Sequence, residues 1–369
     1  MKIIKIAKVT GGLTMFIWVI LGSCHRVSKE KQVAQKVAPA MTMDIWYGKK
    51  QTFGQRGNPQ RWVNILGNIQ SEDSIIAAKA VLNDSLVFPL SLGQDNHRLA
   101  RKGDFNVEID RAVLARGSNQ LQIYGEDIYG NTVTEQIELS YVDHKNWPLP
   151  YTVDWKQVEH ISDVVQIVDG KWKLTPEGVR TVEPYYDRVL AFGDDTWRNY
   201  EIETTVTFHD YASPLFEPPT YGVSHAAIAF RWPGHDLDKA QPHLKWYPLG
   251  ATCEFKLFDN LDTCRFRILG GRKKANESAF RRQKIALNKK YHMLACAQTV
   301  GEKTYYAAKL WPFKETEPEG WDIISVEGET DVPFGSGLLL SHNTDVTFGN
   351  IMAREIGQPA IPQAYKKSN

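Results

Sequence analysis

Residues 231–250 read RWPGHDLDKAQPHLKWYPLG and bring two tryptophans, two histidines, two aspartates and three prolines into one stretch without helical or strand period. Such a set could hold a metal, do acid/base chemistry or offer flat rings to a sugar. Metal ligation would draw on His235, Asp236, Asp238 and His243, with His225 just upstream. No His-Glu-x-x-His pattern and no EF-hand spacing accompanies them. Two histidines eight residues apart in a loop specify no geometry, and His235 after Gly234 could equally cap a turn by bonding the backbone. Nucleophilic catalysis has no foothold, because the chain carries neither a Gly-x-Ser-x-Gly elbow nor a cysteine signature.

A second loop shares this character. Residues 209–222, HDYASPLFEPPTYG, precede the same strand that residues 231–250 follow, so the two can meet at one rim. Sugars present polar edges and faces of C–H bonds, so their sites combine an aromatic ring with planar hydrogen-bonding groups. Tyr211, Phe216, Tyr221, Trp232, His235, Trp246 and Tyr247 are the candidate carbohydrate-binding rings, with Arg231 and Asp236 as polar partners. Prolines at 214, 218, 219, 233, 242 and 248 would stiffen both loops and lower the ordering cost of binding. The same rings could instead plug the end of a sandwich, since aromatics fill cores as often as interfaces.

The elements that must position these loops are strands. Long helical periodicity is absent, and short alternating runs occur throughout, so the chain is expected to be all-β. In NYEIETTVTF, Tyr200, Ile202, Thr204, Val206 and Phe208 fall on one face, with Glu201 and Glu203 on the other. A solvated face, or ion pairs with neighbouring Lys and Arg, is the expected fate of those two glutamates. The Pro-rich joint NWPLPY at 146–151 separates a module at 43–145 from a larger one at 152–357. About 200 residues of strand in the second suit one large two-sheet jelly roll.

At the N-terminus Lys2, Lys5 and Lys8 precede an apolar run at 9–21, followed by Gly-Ser-Cys. A basic start, a short apolar core and small residues describe a secretory signal, and the run is short for a spanning helix. Leu21-Gly22-Ser23-Cys24 resembles the bacterial lipobox, which implies a signal peptide over 1–23, lipidation (palmitate and related acyl chains) of Cys24, and a polar tether over 24–42. His25 rather than Asp after the cysteine implies outer-membrane retention, periplasmic or surface-facing. Without Cys24 three cysteines remain, so at most one disulfide can form. Cys253 and Cys264, flanking a hairpin-like segment, are the nearest pair, although hairpin register does not place them opposite each other. Lys plus Arg is 44 against 43 for Asp plus Glu, a balance that argues against nucleic acid as the partner.

ARGSNQLQIYGEDIYGNTVTEQIELSYV resembles the last strands of bacterial immunoglobulin-like modules, with the turns Gly117 to Asn119 and Asp127 to Asn131 in the matching places. The early Trp-x-x-Tyr-Glu strand, the central AIAFRW strand and the closing SHNTDVTFGNIMARE segment resemble the concanavalin A-like lectin/glucanase superfamily, including laminin-G-type modules. The resemblance implies an immunoglobulin-like β-sandwich followed by a concanavalin-like jelly roll, in which the closing strand returns beside the first. It also favours Ca2+ through Asp236 and Asp238 over zinc, because such relatives carry calcium in their loops. Polysaccharide-cleaving relatives place Glu-x-Asp-x-x-Glu on one strand. The near match here is VEIDRAV, where Glu108 and Asp110 meet Val113 in place of the third acid, in the wrong module; a half-exposed strand is expected instead. No catalytic set is recognised. The sequence therefore reads as a lipid-anchored envelope protein that binds glycan without catalysis, with a glycosidase or lyase of the same fold, or a structural or protein-docking lipoprotein, as alternatives.

Overall fold

The computed structural model describes residues 41–368, apart from residue 96 and residues 212–223, 238–240, 244–249, 271–274, 277–282, 329–331 and 358–359. The alternation in Tyr200–Tyr211 becomes a layer boundary as the sequence predicts. Tyr200, Ile202, Val206 and Phe208 are fully buried and Thr204 nearly so, while Glu201 and Glu203 face outward. Both glutamates meet Arg354, Glu203 at 3.6 Å. The strand pairs on one side with Lys290–Val300 and on the other with both Thr344–Phe348 and Ile351–Glu355. The closing segment does return beside this early strand, but as two strands rather than one. The break falls at Gly349, whose N–H donates to Thr205 O at 2.7 Å. A Cβ there would collide with the Thr205 hydroxyl, so only glycine permits the approach.

Two large sheets follow from these pairings. One runs Trp172–Thr175, Gly178–Thr181, Thr344–Phe348, Tyr200–Tyr211, Lys290–Val300, Lys303–Pro312, Ile323–Glu327, and takes in Ile351–Glu355 and Tyr151–Val153. The other runs Gln166–Asp169, Arg188–Phe192, Ser336–His342, His225–Trp232, Ala251–Lys256, Arg265–Leu269, Ala275–Asn276. Their facing sides share one core that includes Phe192, Ile202, Phe208, Ile228, Phe230, Phe255, Phe266, Tyr306 and Leu339. Each such side chain stabilises by roughly 1.5–3 kcal/mol on burial, which makes this interface the main source of stability. Asn343, in the left-handed region at φ 49°, turns the chain from the seven-stranded sheet into the nine-stranded one.

Residues 42–141 build a smaller sandwich. Its sheets are Thr42–Ile45, Trp62–Gln70, Asp104–Asp110 on one side and Lys50–Phe53, Thr132–Tyr141, Gly117–Asp127, Ile75–Leu82, Leu86–Pro89 on the other. Val63, Ile65, Phe105, Val107, Leu121, Ile123 and Ile137 fill the space between. The turn at 127–131 forms as its residue types require: Asp127 accepts from the N–H groups of Tyr129 and Asn131 at 2.9 and 3.0 Å, and Gly130 takes φ +80°. Among the described residues Cys253, Cys264 and Cys296 are buried free thiols. Register explains the missing bridge, since Cys253 faces Ile268 rather than Cys264 across the hairpin.

Candidate functional site

The loop at 231–250 is interior over most of its described length, which corrects the expectation that Arg231, Trp232 and His235 form a sugar-binding rim. Trp232 is 0% exposed and packs on Val189, Ala191, Ala227, Ala229, Leu338 and Leu340. A ring with no exposed face has none to lay on a sugar. Arg231, also fully buried and at φ 57°, donates to the carbonyls of Arg198 and Val332 at 2.9 and 3.0 Å and to Thr299 Oγ1 at 2.7 Å. His235 is buried with its ring edge-on to Trp232. Tyr211 is half-buried, its hydroxyl donating to Asp259 O at 3.4 Å, and Asp236 is half-buried. Tyr221 and Trp246, like Phe216, Asp238 and Tyr247, lie outside the described residues, as does Cys24.

The loop instead clamps the two sandwiches together, and the residue that receives it is Glu108. The sequence reads Glu108 as part of a half-exposed strand, whereas its side chain is fully buried. It meets Arg98 at 2.9 Å, accepts from the N–H of His243 at 2.7 Å, and lies 3.5 Å from His235 Nδ1. Arg98 also meets Asp169 of the larger sandwich at 2.8 Å. The Gln241 side chain pairs with the Glu108 backbone as a strand would, donating to its carbonyl at 2.9 Å and accepting from its N–H at 3.1 Å. Burial pushes the Glu108 carboxyl up, but Arg98 and the two histidines outweigh it and hold the group well below the usual carboxylate range. At Asp169 burial wins and the carboxyl is raised. Arg98, Glu108, Asp169, His235 and His243 are all buried, so the cluster is a structural joint with no open path to substrate.

Open chemistry sits elsewhere, on the outer face of the seven-stranded sheet. Register places Arg188 opposite Ser341, His342 opposite His225, and His225 opposite Lys256, which in turn faces Arg265. Asp187, one residue before its strand, joins the same row. The Asp187 carboxylate accepts from His342 Nδ1 at 2.6 Å, and the His342 and His225 rings stack with centroids 4.7 Å apart and 3° between planes. In the next row Glu254 accepts from Thr252 Oγ1 at 2.9 Å, meets Arg267 at 2.5 Å, and comes within 4.0 Å of His225 Nε2. Tyr186 closes the end, edge-on to His342 at 4.6 Å. Asp187, Tyr186, His342 and Arg267 keep part of their surface in solvent.

Chemically, the row offers a carboxylate-oriented imidazole next to a phenol, a carboxylate–guanidinium pair and two further cations. One donor atom each from Asp187, His225 and His342 lies within 4.8 Å of the others, so these three could hold a metal ion. Sequence reasoning noted His225 only as a neighbour of the loop and did not single out Asp187 or His342. A signal existed: DRVLAF, HAAIAF and LLLSH each end an apolar run with Asp or His. Only strand order shows that those ends are adjacent.

No protein-family description matches this sequence, and no curated protein matches it. Among solved structures, the chain is similar to the VIP36 exoplasmic/lumenal domain in its Ca2+/Man2-bound form, at 9% identity and TM-score 0.36, covering 57% of this chain and 90% of that one. It is also similar to GH43B of the Bacteroides ovatus xyloglucan PUL, at 8% identity and TM-score 0.37, covering 80% and 72%. A third is the lectin from Bauhinia forficata in complex with GalNAc, at 11% and TM-score 0.30, covering 56% and 99%.

Proposed function

We propose that the protein is a lipid-anchored component of a bacterial cell envelope whose larger sandwich, read as a concanavalin-like jelly roll, binds glycan without catalysis. The smaller sandwich, read as an immunoglobulin-like spacer, holds it off the membrane. The observation that carries the binding reading is the polar row on the outer face of the seven-stranded sheet. There Tyr186 supplies a ring, while Asp187, Glu254 and Arg267 supply planar hydrogen-bonding groups, Glu254 and Arg267 on strands and Tyr186 and Asp187 in the residues leading directly into one. Binding on pre-positioned strands loses little side-chain entropy, which suits a weakly hydrophobic ligand such as a sugar.

A glycan array probed with the chain lacking residues 1–42 tests this. Binding to at least one glycan, weakened about tenfold or more (roughly 1.4 kcal/mol) by Tyr186→Ala or Arg267→Ala, is the expected result. No binding to any glycan, or binding indifferent to both substitutions, overturns it. The anchor is tested separately: Cys24→Ala is expected to release the protein from membranes, and unchanged retention would refute lipidation there.

The contact between Asp187 and His342 favours a second reading, a polysaccharide-active enzyme. A carboxylate that fixes an imidazole, with a phenol beside it, is an arrangement suited to proton transfer. Release of new reducing ends or of unsaturated uronate from a polysaccharide, abolished by His342→Gln, would establish it in place of pure binding.

A further inference from the structure

The geometry points to a binding site for a divalent first-row transition metal, of the Zn2+ or Mn2+ kind, formed by Asp187, His225 and His342 on the outer face of the seven-stranded sheet. It uses other residues than Asp236 and Asp238, through which the sequence looks for calcium, and it stands whether or not the face binds glycan. Three adjacent antiparallel strands deliver the residues. His342 ends Ser336–His342, His225 begins His225–Trp232 as its cross-strand partner, and Asp187 immediately precedes Arg188–Phe192 on the other side. Sheet pairing therefore sets the backbone positions of both histidines, with Asp187 one residue outside its strand.

The donor set selects the class of ion. Two imidazole nitrogens and a carboxylate suit borderline metals, whereas calcium demands six to eight oxygens. Glu254, whose Oε1 is 4.0 Å from His225 Nε2 and whose other oxygen meets Arg267, lies beside this set, and water would fill the remaining position of a tetrahedral shell. The three donor atoms lie within 4.8 Å of one another. Tetrahedral zinc with bonds near 2.0–2.2 Å needs neighbouring ligand atoms about 3.3–3.5 Å apart. Metal binding would require the three side chains to draw these donors closer together.

The test uses the full chain in detergent micelles, stripped with EDTA and without a histidine tag, titrated calorimetrically with ZnCl2, MnCl2 and CaCl2. One equivalent of Zn2+ or Mn2+ is expected to bind, weakened about 100-fold by His225→Gln or His342→Gln and about 10-fold or more by Asp187→Asn. Substitution of the exposed His160 to Ala should leave it unchanged. Near-UV circular dichroism of the metal-free variants confirms folding; where a Gln variant misfolds, its Asn counterpart and the Asp187 variant decide. No stoichiometric uptake of either metal, tighter binding of Ca2+ than of both, or uptake undiminished in the His225/His342 double variant would overturn the proposal.

Discussion

The backbone N–H of His243 donates to the Glu108 carboxylate at 2.7 Å across 135 residues of sequence, and this bond ties the loop of one sandwich to a strand of the other. Arg98 lies on the opposite carboxylate oxygen at 2.9 Å and continues to Asp169 at 2.8 Å. The two sandwiches are thus joined through a charged centre with essentially no access to water. Such a centre adds little net stability compared with apolar packing, but it is intolerant of losing one member.

Arg98→Met is accordingly expected to destabilise the protein by about 3–5 kcal/mol, because it strands Glu108 and Asp169 without their shared cation. Equilibrium urea denaturation measures this. A loss below about 1 kcal/mol would mean that the acids are neutralised in some other way.

The depressed Glu108 carboxyl makes a pH prediction. A group whose folded pKa lies below its unfolded value contributes stability above the unfolded pKa, near 4.3, and loses it as pH falls towards the folded one. Asp169, shifted upward, acts with the opposite sign: its contribution is complete at low pH and is lost as pH rises through its folded value. Glu108→Gln should therefore be less stable than the wild type at pH 7, and the gap should narrow as pH drops below about 4.3. Urea midpoints at pH 7, 4 and 3 check the trend; a gap that widens on acidification contradicts it.

Trp232→Ala is expected to cost about 3–5 kcal/mol of stability, as a large-to-small change at a fully buried site. Thermal unfolding reports it directly. If the variant were as stable as the wild type but deficient in glycan binding, the ring would have to swing outward in solution.

Arg231→Lys tests the buried guanidinium. Its nitrogens reach two carbonyls and the Thr299 hydroxyl from one planar group, and an ammonium cannot span those directions. Leaving buried acceptors unmet costs about 1–3 kcal/mol each, so a loss of at least about 2 kcal/mol is expected in urea denaturation.

The buried thiols offer a chemical check. Burial pushes the Cys253 and Cys296 thiols well above their ordinary value, so both stay protonated and shielded. Native protein lacking residues 1–42 should react with Ellman's reagent only after denaturant is added, releasing three equivalents for Cys253, Cys264 and Cys296. Prompt reaction without denaturant would place a thiol at the surface.

Local chemistry was legible from the sequence. Alternation in Tyr200–Tyr211 determined which side chains enter the core, because successive residues of a strand must face opposite ways. The Asp127 to Asn131 turn was equally readable, since its bonds are made within five residues. The sequence also gave reason to doubt the Cys253–Cys264 bridge. What it could not show was any relation set by strand order. Glu108 looked like an ordinary strand residue because Arg98, Asp169 and His243 reach it only when two sandwiches meet. The aromatic and proline content of residues 231–250 suggested a rim, yet identical rings serve a surface or a core, and packing alone decides which. Asp187, His225 and His342 are scattered over 155 residues and are brought into one row by sheet register. Non-local pairing of this kind leaves no periodicity in the chain, so the joint and the candidate site belong to the tertiary structure.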